Sequence, residues 1–109
     1  MHRLVVMYPQ PEDPVKFREY YETHARLGQK VPHVRNAHFS FDVKGFPDDG
    51  SGIIKDPQLI CVFTAEWDSE ADMFQALTET PEGQAVLADV PNYASKAFVF
   101  HYPIPTSSG

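Results

Sequence analysis

The chain has 109 residues, and its 9 Lys plus Arg against 15 Asp plus Glu give a formal net charge of −6. That length holds a single hydrophobic core, and the acidic balance argues against a nucleic-acid binder, which needs a basic face. One Cys excludes an internal disulfide and a Cys-rich zinc site. No apolar run approaches the roughly 20 residues of a membrane span and no signal pattern opens the chain, so the expectation is a soluble cytoplasmic protein.

The 10 prolines punctuate segments of clean periodicity. His2 to Tyr8 is a short apolar run stopped by Pro9, which predicts a strand buried on both faces. Asp13-Pro14 then opens a helix, with Asp13 as N-cap and Pro14 at the first helical position. Phe17, Tyr20, Tyr21, His24, Leu27, Gly28 and Val31 follow at i, i+3, i+4, i+7 spacing and form its apolar stripe. Lys16, Arg18, Glu19, Glu22, Thr23, Arg26 and Lys30 face solvent, and Pro32 stops the helix.

Arg35 to Val43 alternates, with Ala37, Phe39, Phe41 and Val43 on the apolar side, as in a strand with one buried face. Gly45 to Pro57 carries turn chemistry and predicts a mobile loop. Gln58 to Trp67 reads as a third strand, with Leu59, Cys61, Phe63, Ala65 and Trp67 on one face and Ile60, Val62, Thr64 and Glu66 on the other. Ser69 with Asp72 three residues on is an N-cap signature for a short helix using Met73, Ala76 and Leu77. Thr80-Pro81-Glu82 caps another, with Ala85, Val86 and Val90 as its stripe and Pro91 as its stop. Ala97 to Tyr102 is the last strand, and a tail at 104–109, frayed over Thr106 to Gly109, follows a single domain at 1–103.

The predicted order is β-α-β-β-α-β, the ferredoxin-like arrangement within the α+β class: a four-stranded antiparallel sheet with helices on one face. The first, third and fourth strands are apolar on both sides, yet the helices cover one face alone. The other face calls for a cover, and a second copy of the same sheet provides it.

Five stretches carry a family resemblance. Val5-Val6-Met7-Tyr8-Pro9, Phe17-Arg18-Glu19-Tyr20-Tyr21-Glu22-Thr23-His24, Val31-Pro32, Pro81-Glu82-Gly83 and Asp89-Val90-Pro91-Asn92-Tyr93 resemble the EthD family over about residues 3 to 102. Tyr93 stands where that family typically has Phe. The resemblance implies a dimeric α/β barrel in which two sheets pair face to face. It also implies a bacterial protein associated with degradation of ethers and other small organic molecules. Relatives on the fold include cofactor-free monooxygenases, muconolactone isomerases and haem enzymes, and fold alone does not choose among them.

His24 is the leading catalytic candidate. It lies on the apolar stripe, where an imidazole can give or take a proton near neutral pH, and the resembling motif also carries a His there. The plain alternative is a core histidine held by one hydrogen bond. Phe39, Phe41, Phe63 and Trp67, facing the helices, are candidate substrate-binding residues for a small aromatic or alicyclic ligand, or else ordinary core. Tyr8 either places its phenol at a cleft mouth or is a simple strand-end tyrosine. Cys61 reads as a small hydrophobe; the cysteine of related isomerases aligns with Ala65. Asn92 reads as a turn-capping residue.

No metal site is expected. His2, His33, His38 and His101 show no ligand spacing, and a site would need convergence over long range. No cofactor is expected either: the nucleotide-binding glycine pattern is absent and Glu70 to Val90 holds no axial histidine for haem. Three functions remain open. One is a homodimeric enzyme of oxidoreductase, monooxygenase or isomerase type acting on a small hydrophobic organic ligand. The others are a non-catalytic carrier or accessory protein with the same pocket, and a purely structural dimer.

Overall fold

The structure, a computed structural model, describes residues 1–45, 59–94 and 96–105. The expected loop over 46–57 and the end of the tail at 106–109 lie outside the described residues. The elements run β1 (His2–Pro9), α1 (Pro14–Gln29), β2 (Arg35–Val43), β3 (Leu59–Trp67), α2 (Glu70–Thr78), α3 (Pro81–Asp89), a 3₁₀ turn (Val90–Asn92) and β4 (Phe98–Pro103). The strands form one open antiparallel sheet in the order β2-β3-β1-β4.

Each helix starts where its capping side chain lies. Asp13 accepts the Lys16 N–H at 3.1 Å, Ser69 accepts the Asp72 N–H at 3.1 Å, and Thr80 accepts the Gly83 N–H at 3.0 Å. Each of these bonds satisfies a donor that the first helical turn leaves without an intrahelical partner. At the other end of α3 the α-helix stops at Asp89, one residue before Val90. Pro91 has no N–H to continue the ladder, so the chain tightens into the 3₁₀ turn, which holds Asn92 and Tyr93 close beneath α1.

One face of the sheet carries Leu4, Val6, Tyr8, Cys61, Ala65 and Trp67, which join Phe17, Tyr21 and Ala25 of α1 and Met73 and Ala76 of α2 in one core. Phe39, Phe41 and Phe63 are half-buried and pack against this core from the β2 side, as expected of a helix-facing set. Strict alternation fails at Ile60. The β1–β3 register slips between Tyr8/Pro9, leaving Ile60 as an extra residue on β3, and it is buried in the core beside Cys61. A second slip between Arg35 and His38 coincides with Asn36 at φ 50°, a left-handed conformation that asparagine tolerates better than most residues.

Among the described residues no helix covers the opposite face. Cross-strand pairs place Arg3, Val5 and Met7 against Tyr102, Phe100 and Phe98 there, and Arg3, Val5 and Met7 against Glu66, Thr64 and Val62. Phe98, Phe100 and Tyr102 are 42%, 54% and 41% exposed. Within this face Arg3 donates to Glu66 at 3.0 and 3.2 Å, and Asn36 donates to the other Glu66 oxygen at 2.7 Å. Among the described residues no helix is long and apolar enough to cross a membrane.

Candidate functional site

α1 presents Tyr20 and His24 four residues apart, one turn above the other, so both reach the same neighbour. That neighbour is Asp89, the last residue of α3. Tyr20 donates its phenol proton to Asp89 Oδ1 at 2.7 Å, Asn92 Nδ2 donates to the same oxygen at 3.0 Å, and His24 Nδ1 lies 2.8 Å from Oδ2. An ionised carboxylate only accepts, so His24 Nδ1 carries a proton toward Asp89, and in the neutral form of the ring Nε2 holds the lone pair. The His24 and Asp89 side chains are 7% and 12% exposed.

Burial alone raises a carboxyl's pKa, and it works in that direction on Asp89. Hydrogen bonds from Tyr20, Asn92 and His24 outweigh it and hold Asp89 below its ordinary value. The Tyr20 phenol is raised, chiefly by its bond to Asp89. Tyr8 and Tyr93 share a hydroxyl–hydroxyl bond of 2.7 Å, and desolvation pushes both phenols upward, so they stay neutral and act as hydrogen-bonding groups.

Tyr93 joins this cluster to solvent. Its ring lies 4.5 Å from that of His24 and 5.7 Å, stacked, from that of Tyr20. The same ring lines a cleft of about 620 Å³ on the flank of α1, together with Asp13, Lys16, Phe17, Tyr20 and Asn92. Phe17, Tyr20 and Tyr93 give it an apolar floor. Glu12, Asp13 and Glu19 against Lys16 give its rim a net negative charge.

His24 is therefore partnered by a side-chain carboxylate rather than by backbone, and it sits behind Tyr93 rather than on the cleft wall. Tyr8 is 2% exposed, and its phenol reaches the cleft-lining Tyr93. Phe39 and Phe41 pack around Tyr21 with ring centroids 5.1 and 6.1 Å away, on the β2 side of α1. Phe63 is half-buried beside Gly28, and Trp67 is 1% exposed with its indole N–H bonded to the Pro32 carbonyl at 3.1 Å. None of these five aromatic residues lines the α1 cleft. Cys61 is fully buried and desolvation pushes its thiol up to about 12, in keeping with an inert hydrophobe.

Asp89 and Tyr20 are the functional candidates that sequence reasoning passed over. Asp89 reads as a helix exit and Tyr20 as one more stripe residue, and nothing local tells that they meet. Asn92 caps the Asp89 carboxylate rather than backbone. The available signal was the Asp-Val-Pro-Asn-Tyr run itself, which carries Asp89 at the end of α3 and Asn92 and Tyr93 at the turn that follows.

The antiparallel sheet with its described helices on one side is the ferredoxin-like fold. The EthD domain matches residues 9–97, and the chain belongs to that family. An uncharacterized 11.0 kDa protein from the thcB-thcC intergenic region of Rhodococcus erythropolis is 33% identical over 96 residues, covering 87% of this chain and 85% of that one. The crystal structure of an EthD family protein from Bacillus halodurans superposes with a TM-score of 0.81 at 27% identity, covering 96% and 99% of the two chains. A dimeric ferredoxin-like protein of unknown function from Thermobifida fusca gives 0.66 at 16% identity over 94% and 90%. SnoaB, a cofactor-independent oxygenase from Streptomyces nogalater, gives 0.60 at 11% over 98% and 95%. The last two likenesses concern the fold alone.

Proposed function

We propose that this EthD protein is a cytoplasmic homodimer of catabolic or secondary metabolism that acts, without a cofactor, on a small neutral hydrophobic molecule held in the α1 cleft. The observation that carries the reading is Asp89, which ties a cleft-lining phenol, Tyr20, to a shielded imidazole, His24. The acidic rim disfavours anionic ligands, and the floor of Phe17, Tyr20 and Tyr93 favours an aromatic or alicyclic body. The exposed Phe98, Phe100 and Tyr102 favour burial of the open sheet face against a second copy, as does the dimeric neighbour on the same fold.

In this reading Tyr93 swings aside when ligand enters, and His24 Nε2 takes a proton from an acidic C–H of the ligand. Asp89 holds the ring through Nδ1 and stabilises the imidazolium that forms. Returned to a different carbon, the proton completes an isomerisation. Alternatively the carbanion's electrons pass to dioxygen: a C–O bond forms, the hydroperoxide takes the proton back, and loss of water converts the original CH₂ to a ketone. Each route uses the same first step.

A carrier role is the second reading, and the observation favouring it is that His24 lies behind Tyr93 rather than on the cleft wall. Exchange of ligand C–H protons into D₂O, followed by ¹H NMR over a panel of neutral aromatic and alicyclic ketones, separates the two. The enzyme reading expects exchange that falls at least about 100-fold in His24→Gln while binding persists. Binding without exchange in the unaltered protein overturns it in favour of the carrier.

A further inference from the structure

At the far end of the sheet from the cleft, three side chains converge that serve no part of the function above. His2 begins β1, His101 lies on β4, and Glu70 opens α2. One donor nitrogen from each histidine and a carboxylate oxygen of Glu70 all lie within 4.8 Å of one another. His2 Nε2 and His101 Nδ1 are already 2.8 Å apart, one N–H donating to the other lone pair across 99 residues of sequence. The His101 ring is held edge-on to Phe74, with centroids 5.3 Å apart, which limits its rotation. The His2 ring is buried, whereas Glu70 and His101 are open to solvent, so an ion has a route in.

The geometry points to a divalent transition-metal site of the zinc class, bound by His2 Nε2, His101 Nδ1 and a Glu70 carboxylate oxygen. Two imidazoles and one carboxylate suit zinc and its neighbours in hardness better than magnesium or calcium, which prefer oxygen-only shells. Tetrahedral ligands about 2.0–2.1 Å from zinc stand about 3.3 Å from each other. The histidine pair needs to open by about half an ångström, and the exposed Glu70 needs to close by a rotamer change, relative to that spacing. The ring that donates its N–H must also move that proton to its other nitrogen, a tautomer change that frees both lone pairs. With three protein ligands, the fourth position is left to water. A bound ion would pin the edge strand β4 to α2, two elements otherwise joined here through side-chain contact. His2 and Tyr8 lie at opposite ends of β1, about 20 Å apart at the usual strand rise, so this site is separate from the cleft.

The test is calorimetric titration of Zn²⁺ into chelator-stripped protein, with Co²⁺ absorption reporting the coordination shell. One ion should bind per chain and raise the thermal unfolding midpoint. His101→Phe, which keeps the packing against Phe74, and the surface change Glu70→Gln should each weaken binding at least about tenfold, the low end of what even outer-sphere changes cost a metal site. His33→Ala and His38→Ala, which alter exposed histidines elsewhere, should leave it unchanged. Absence of saturable Zn²⁺ binding, or binding that survives both His101→Phe and Glu70→Gln, overturns the assignment.

Discussion

His24 and Asp89 are separated by 65 positions in the chain and by 2.8 Å in the fold. The pairing depends on the packing of α3 against α1, which brings Asp89, the last residue of α3, to the His24 ring. It gives a stripe histidine a fixed orientation, and through Asp89 it links that imidazole to Tyr20 at the cleft.

Asp89→Asn keeps the shape but removes the charge that three donors share. A hydrogen bond to a charged group contributes about 1.5–3 kcal/mol, so a loss of that order in urea unfolding is expected. Asp89 is held below its ordinary pKa, so its contribution is fully present above the unfolded value and is lost as pH falls through the folded one. Unfolding free energy should therefore drop more steeply from about pH 5 to about pH 3 in the unaltered protein than in Asp89→Asn. Glu66, also depressed, chiefly by Asn36, acts in both proteins and cancels in the difference.

The Tyr8–Tyr93 bond should behave as a coupled pair. Tyr8→Phe leaves the poorly solvated Tyr93 hydroxyl without its partner, costing about 1–2 kcal/mol, and Tyr93→Phe costs less because Tyr8 keeps its contact with the Tyr21 hydroxyl. The double change removes both hydroxyls and should cost less than the sum of the singles. A double-mutant cycle in urea measures the difference, and strict additivity would show the bond to be unimportant.

Two glycines should respond in opposite ways to alanine. A Cβ on Gly83 would collide with the Ala76 carbonyl and stand 2.6 Å from Leu77 Cα, where α2 and α3 meet through backbone. Gly83→Ala should destabilise by about 1–3 kcal/mol despite alanine's better helix propensity. At Gly28 the nearest atom in the way is Phe63 Cζ at 3.9 Å, an ordinary contact. Gly28→Ala should be neutral or stabilise by up to about 1 kcal/mol, as judged by thermal unfolding.

Cys61 should resist thiol reagents at pH 8 in the native state and react at the free-thiol rate in denaturant. Its burial and raised pKa leave almost no thiolate. Fast labelling of the native protein would mean that the β3 core opens readily.

Secondary structure was legible in the sequence because caps and prolines act locally: Asp13, Ser69 and Thr80 start helices by bonds that span three residues. The helix-facing side of the sheet was legible from alternation, except at Ile60, where a bulge in β3 broke the period. The candidate site was legible only in part. His24 stood out by its place on the stripe, but its partner, its cleft and the Tyr8–Tyr93 bond arise from contacts spanning 65 to 85 positions, which no local pattern encodes. His2 and His101 converge in the same unannounced way.

The matched pair methyl benzoate and benzoate tests the central claim most directly, because the two share a ring and differ in charge. Titrated into ¹⁵N-labelled protein, methyl benzoate should give saturable amide shifts centred on Phe17, Tyr20, Asn92 and Tyr93, and benzoate should bind at least about tenfold more weakly against the acidic rim. Shifts that map elsewhere, or equal affinity for the anion, would contradict a cleft built for neutral hydrophobic molecules.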